Sequence, residues 1–228
     1  MTMSYIHAVA QTAYIFERSD GKRGRLSYLL HLPRRYARRK RWPMILFLHG
    51  SEERGDDLEL LKRHGVPRLV DADPSFPFVV VSPQCPMGGR WHLYLGTLEA
   101  LLDDVLARLA VDRRRIYLTG LSMGGYGTWH LAARFPDRFA AIAPICGGGL
   151  GSLGFPEKAR ALRGVPVWAF HGAHDTSVPV EESQRLVDML EQAGGDVRLT
   201  IYEDAGHDSW TRTYADPRLY QWFLEHRR

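Results

Sequence analysis

The sequence predicts an α/β fold: a three-layer sandwich around a mostly parallel sheet of about eight strands, opened by an antiparallel hairpin. Three observations predict it. Short continuous apolar runs, each ending in Gly, Pro or a polar residue, recur along the chain as strands covered on both faces do. Amphipathic helical stripes stand between them, so strand–helix–strand crossovers are expected. Ahead of both, two β-rich runs flank Asp20-Gly21, a hairpin turn signal.

The hairpin comes first. "AYIF" precedes the turn and "RLSYLLHLP" (25–33) follows it, with Leu26, Tyr28, Leu30 and Leu32 alternating onto one face. Next come the runs "PMILFLHG" (43–50), "FPFVVVSPQ" (76–84), "RRIYLTG" (114–120), "FAAIAPICG" (139–147) and "VPVWAFHG" (165–172), expected as parallel strands. "DVRLTIYEDAG" (196–206) is a further strand with partial alternation. In "TLEALLDDVLARLA" (97–110), Leu98, Leu101, Leu102, Val105, Leu106 and Leu109 form one helical stripe. "VPVEESQRLVDMLEQAGG" stops at Gly194-Gly195, and "ADPRLYQWFLEH" starts at Asp216-Pro217, an N-cap followed by proline at the first helical position.

The 228 residues are 45% hydrophobic, enough for a full core, and no repeat or linker interrupts them. One domain over 1–228 is therefore expected. No stretch approaches 18 apolar residues, so no membrane span is expected. The N-terminus lacks a basic region followed by an apolar one, and Cys85 and Cys146 are too few for a disulfide framework. A cytoplasmic setting fits both. The formal charge of +4 is ordinary, but six of the eight residues from Arg34 to Arg41 are Arg or Lys. Such a run could be an electrostatic footprint for nucleic acid or anionic membrane. It is short, holds one aromatic and accompanies no nucleic-acid-binding motif, so it reads as a solvated connection between strands.

Function turns on residues 118–125, "LTGLSMGG". Gly120-Leu121-Ser122-Met123-Gly124 is G-x-S-x-G placed after a strand and before the helical pattern "MGGYGTWHLAARF". A strand turning sharply into a helix pushes the residue at the bend into strained, positive-φ geometry. Positions two before and two after must be tiny, and both are glycine. The hydroxyl is then presented above the sheet, with a helix N-terminus behind it to favour developing negative charge.

A serine nucleophile needs a base, and the base needs an orienting acid. His207, in "YEDAGHDSW", and Asp175, in "HGAHDTSVP", both lie in loops leaving the carboxyl ends of expected parallel strands, the edge at which Ser122 emerges. The order Ser122, Asp175, His207 is consistent with one convergent site. Asp204 and Asp208 are rival acids beside the base, and Asp175 could be a turn former. His174 is the rival base, although its adjacency to Asp175 in an extended loop points the two apart. His49 and His171, each before a glycine, read as supports for their loops. For the oxyanion, the backbone N–H of Met123 is one expected donor, and that of Ser51, in "HGSEERGDD", is the other.

"LFLHGSEERGDD", "VVSPQCPMGGRW", "IYLTGLSMGGYGTW", "AFHGAHDTSVPV" and "YEDAGHDSW" together resemble the carboxylesterase and dienelactone-hydrolase-like branch of the α/β-hydrolases. The group most similar is that of predicted peptidases and phospholipase/carboxylesterase-type esterases, and the resemblance covers residues 40–226. It implies an α/β-hydrolase sandwich and a Ser-Asp-His esterase needing no metal or organic cofactor. It also implies a sheet order with three strand spacings between Cys85 and Cys146, roughly 14 Å, too far for a disulfide. One departure stands out: the group usually has glycine where this chain has Glu52, which must adopt an allowed φ and adds a carboxylate near the oxyanion loop.

Trp91 and Trp210, with Tyr94, are candidates to line a substrate pocket, whereas Trp129 on the nucleophile helix reads as core. "GGGLGSLG" (147–154) lacks the Lys and Ser/Thr of a phosphate-binding loop and reads as a flexible connection. No H-E-x-x-H or Cys/His cluster suggests a metal. The expected function is hydrolysis of small or medium carboxylic esters through an acyl-enzyme, with a small-molecule partner and no nucleic acid. The alternatives are a serine peptidase on the same fold, a feruloyl or acetyl polysaccharide esterase, acyl transfer to another acceptor, or a silent binding protein.

Overall fold

A computed structural model describes residues 11–18, 24–149 and 155–228. The Asp20-Gly21 turn, the N-terminal stretch through residue 10 and residues 150–154 of the glycine-rich stretch lie outside them. Eight strands form one sheet: β1 (Thr12–Glu17), β2 (Arg25–His31), β3 (Trp42–Leu48), β4 (Val79–Pro83), β5 (Val111–Leu121), β6 (Ala141–Ile145), β7 (Val167–Gly172) and β8 (Val197–Tyr202). Their order is β1-β2-β4-β3-β5-β6-β7-β8. β1 pairs antiparallel with β2, and β2 antiparallel with β4; every later pairing is parallel. This is the expected sandwich, hairpin included.

Alternation along the strands divides the core in two. Met44, Leu46 and Leu48 of β3 with Ile116 and Leu118 of β5 face one cluster, and Ile45, Phe47, Tyr117 and Leu121 face the other. The first cluster is closed by α2 (Leu95–Arg108), α3 (Met123–Arg134) and α5 (Glu181–Gln192). The second is closed by α1 (Gly65–Ala72), α6 (Trp210–Ala215) and α7 (Pro217–Glu225). A short α4 (Phe155–Ala159) adds Phe155 to the first. The stripe on α2 is buried as expected apart from Leu109, which lies past its end and is partly buried.

Asp216 caps α7 by accepting from the Arg218 N–H, with Pro217 at the first helical position, as read from the sequence. Two local expectations change. β2 is buried on both faces from Tyr28 to His31, because it lies inside the sheet between β1 and β4. α1 and α6 have no counterpart in the sequence reading. Gly65 and Pro67 occupy the first turn of α1, so its helicity comes from seating Val66 and Val70 in the second core. Cys85 follows β4 and Cys146 follows β6, three spacings apart, and both thiols are free and buried. Among the described residues no helix is long and apolar enough to cross a membrane.

Candidate active site

Ser122 sits between β5 and α3 with φ 53° and ψ −116°, the strained bend expected of it. Its N–H donates to the Ile145 carbonyl at 3.0 Å, and its own carbonyl starts α3 by accepting from the Tyr126 N–H. The flanking glycines are steric requirements. A Cβ on Gly120 would meet the Gly124 carbonyl oxygen at 2.5 Å, and one on Gly124 would meet the Leu48 oxygen at 1.9 Å.

The loop after β7 delivers Asp175. One carboxylate oxygen accepts from the N–H groups of Ser177 (2.9 Å) and Val178 (2.8 Å), which fixes the side chain in its own turn. The other oxygen faces His207 Nδ1 at 2.7 Å. A carboxylate only accepts, so Nδ1 carries the proton and Nε2 presents its lone pair. That lone pair lies 3.0 Å from Ser122 Oγ. Ser122 and Asp175, 85 and 32 positions from His207, thus form with it one hydrogen-bonded chain at the carboxyl edge of the sheet.

The rivals are elsewhere engaged. Asp204 is exposed and paired with Arg212, which holds its carboxyl down to about 2. Asp208 accepts from the N–H and O–H of Thr211 in the first turn of α6. His174 is exposed and does not join the cluster. His171, read as a support, is fully buried; its Nε2 donates to the Val178 carbonyl at 2.9 Å and stands 3.3 Å from Asp175 Oδ2.

Ser122 opens into a cleft of about 820 Å³ that Ser51, Met123, Trp91, Arg54, Arg90 and His130 help to line. Ser51 and Met123, the residues expected to supply the oxyanion donors, therefore border the same cleft as Ser122. Trp91 reaches the cleft but is mainly structural: it is 1% exposed and donates its indole N–H to the His49 carbonyl at 3.0 Å. Trp210 does not line this cleft. Its ring stands 5.2 Å from that of His207 at 88°, so it walls the imidazole instead. Tyr94 is also absent from the lining, and Trp129 is core as expected.

Beneath Ser51 lies a brace that sequence reasoning saw only in part. His49 Nε2 accepts from the Cys85 N–H at 2.9 Å, so Nδ1–H donates to the Gly50 carbonyl. Burial pushes this imidazole down to about 4, keeping it neutral. Arg54 donates from Nε to the Ser51 carbonyl at 2.7 Å and from its guanidinium to the Gly89 carbonyl at 3.3 Å. Gln84 donates to the Glu53 and Asp57 carbonyls. These acceptors are backbone, which no residue pattern reveals. Glu52 is exposed, and Ser122 and Cys146 are the only non-glycine residues with positive φ among the described residues, so Glu52 fits without strain. The buried carboxyl is Glu53, 3.8 Å from His49 and 3.9 Å from His64, and burial raises its pKa.

Cys146, Asp175 and His207 bring donor atoms within 4.8 Å of one another, the one such group found among the described residues. It is a poor cation cage. The Asp175 and His207 donors already bond each other, and burial pushes the Cys146 thiol far up, away from the thiolate a metal needs.

Comparison with known proteins identifies the family. Residues 93–218 match the phospholipase/carboxylesterase family. The chain is 30% identical over 139 residues to a bifunctional acetylxylan esterase/xylanase of Neocallimastix patriciarum, covering 58% of this chain and 19% of that protein. It is 26% identical over 214 residues to a poly(3-hydroxyoctanoate) depolymerase of Pseudomonas fluorescens, covering 81% and 74%. The crystal structure of a thermostable esterase superposes with a TM-score of 0.82 at 32% identity, over 96% of this chain and 64% of that one. The chain thus spans a fifth of the length of the first relative and under two thirds of the esterase.

Proposed function

Because the chain belongs to the phospholipase/carboxylesterase family, we propose that it is a serine carboxylic-ester hydrolase working through an acyl-enzyme on small or medium esters. The observation that carries this reading is the unbroken Asp175–His207–Ser122 chain, with 2.7 and 3.0 Å links. Ser122 Oγ attacks the ester carbonyl while His207 Nε2 takes its proton. Asp175 holds the imidazole in the required tautomer and stabilises its charged form. The backbone N–H groups of Met123 and Ser51 receive the oxyanion. His207 then protonates the leaving alcohol, and water, activated by the same nitrogen, releases the acid and restores Ser122.

Turnover of 4-nitrophenyl esters from acetate to palmitate tests the reading and sizes the acyl site. Ser122→Ala is expected to lower kcat by several orders of magnitude with the fold intact; a variant as fast as the parent refutes the assignment. A second reading, removal of acetyl groups from polysaccharide, draws on the 30% identity to the acetylxylan esterase/xylanase. Release of acetate from acetylated xylan tests it. Peptidase activity on the same site is checked with aminoacyl 4-nitroanilides. The two buried, unpaired thiols support a reducing, cytoplasmic setting.

A further inference from the structure

The basic connection between β2 and β3 is more than a solvated tether. Arg34, Arg35, Arg38, Arg39, Lys40 and Arg41 are all exposed, and among the described residues none of the six is in an ion pair. Six unscreened cations in eight positions repel one another, so a loop of this composition is expected to stay extended in water. Instead it is folded into two tight turns and pinned. The Tyr36 N–H donates to the Pro33 carbonyl at 2.6 Å, and the Lys40 N–H to the Ala37 carbonyl at 3.1 Å. Tyr36 OH accepts from the Ala110 N–H at 2.7 Å, and Trp42 Nε1–H donates to Ala37 at 3.3 Å. The rings of Tyr36 and Trp42 stack, and Lys40 Nζ rests 4.2 Å over the Trp42 indole.

The pinned turns enclose a cleft of about 600 Å³, lined by Arg34, Arg35, Lys40, Trp42 and Ser75 with two prolines and no acidic residue. Asp73, two residues before the Ser75 of the lining, is occupied by the N–H and O–H of Ser75. Beyond the cleft the cations are paired: Arg115, which donates to the Arg41 carbonyl, is bridged to Asp112, and Arg228 to Asp137, so the unpaired charge is confined to the turns. All of this stands at the amino ends of β3 and β5. Ser122 stands at the carboxyl end of β5, a strand length or roughly 20 Å away.

We propose that this end of the molecule docks on an anionic phospholipid surface, with lipid phosphates and carboxylates taken by Arg34, Arg35 and Lys40. Charge alone is offered here. Trp42 is 6% exposed and Tyr36 is half-buried, so no aromatic face is free to stack a nucleobase, and the segment has no helix to enter a groove. A bilayer, read by its field rather than by base edges, needs neither. Docked this way, the protein turns its Ser122 cleft away from the lipid and toward solutes.

Co-sedimentation with vesicles tests the proposal. Partition is expected onto phosphatidylcholine vesicles holding about 30% phosphatidylserine at about 0.1 M salt, at least tenfold above pure phosphatidylcholine, and release at about 0.5 M salt. The variant Arg34→Glu/Arg35→Glu/Lys40→Glu is expected to lose this partition about 100-fold or more, while its turnover of a soluble short-chain ester or, failing any turnover, its circular dichroism matches the parent. Equal partition onto both vesicles, no partition onto either, or full partition by the folded triple variant overturns the proposal. So does tighter retention by duplex DNA than by anionic vesicles.

Discussion

His171 Nε2 stands 3.3 Å from Asp175 Oδ2, the same oxygen that accepts the hydrogen bond from His207 Nδ1–H at 2.7 Å. The buried imidazole thus stands as a second ring against the carboxylate, while its other nitrogen pairs with Ser183 Oγ at 2.7 Å. His171→Ala is predicted to lower stability by about 2–4 kcal/mol through the void and the lost hydrogen bonds. It is also predicted to lower kcat about tenfold with KM held, because Asp175 loses its backing. Asp175→Asn, which spares the packing but presents the wrong donor, is predicted to cost about 10⁴ in kcat. Chemical denaturation and steady-state kinetics on the two variants separate the roles.

Gly124→Ala is predicted to be intolerable. The added methyl would lie 1.9 Å from the Leu48 oxygen and 2.7 Å from that of His49, both backbone atoms of the neighbouring strand and loop. Relief requires α3 to move off β3, which costs more than about 4 kcal/mol. The check is a denaturation midpoint, or the soluble yield if the variant does not fold.

His49 predicts an acid limb in stability. Its folded value is about 4 against an ordinary 6.5, because burial disfavours the charged form. Above pH 6.5 neither folded nor unfolded chain is protonated there, and His49 adds no slope. As pH falls from 6.5 to 4 the unfolded chain binds the proton first, so up to about 3 kcal/mol of stability is lost. Glu53 acts in the opposite sense: burial raises its carboxyl, so its contribution is present at low pH and is lost as pH rises through the folded value. His49→Gln keeps an acceptor for the Cys85 N–H without a titrating ring. Its Tm is predicted to fall less steeply than the parent's across this window.

Trp210 predicts a packing effect on chemistry. Its ring meets His207 edge-to-face and meets His64 at 5.8 Å, restricting the imidazole. Trp210→Ala is predicted to lower kcat about tenfold, and Trp210→Phe, which keeps a ring there, to restore most of it. Comparing kcat for the pair against unchanged KM is the measurement.

Much of this site is legible in the sequence, for physical reasons that differ by residue. Ser122 can be read because a strained bend dictates small residues at fixed offsets, and Gly120 and Gly124 supply them. Asp175 and His207 can be read because parallel strands export their loops to one edge, whatever the separation along the chain. Trp210 is misplaced by the same reasoning, since edge position says nothing about which wall a side chain joins. Glu53 is hidden because "EERGDD" looks like a solvated acidic run, and only the fold reveals that one carboxyl turns inward between His49 and His64. α1 is hidden because its glycine and proline break the helical pattern that Val66 and Val70 restore through packing.

Mass spectrometry of the chain after exposure to a fluorophosphonate tests the central claim most directly, because only a serine activated by a neighbouring base reacts. One stoichiometric adduct is predicted, on the peptide holding Ser122, that vanishes in His207→Ala. An unmodified Ser122 in the folded protein, or labelling that persists undiminished without His207, would contradict it.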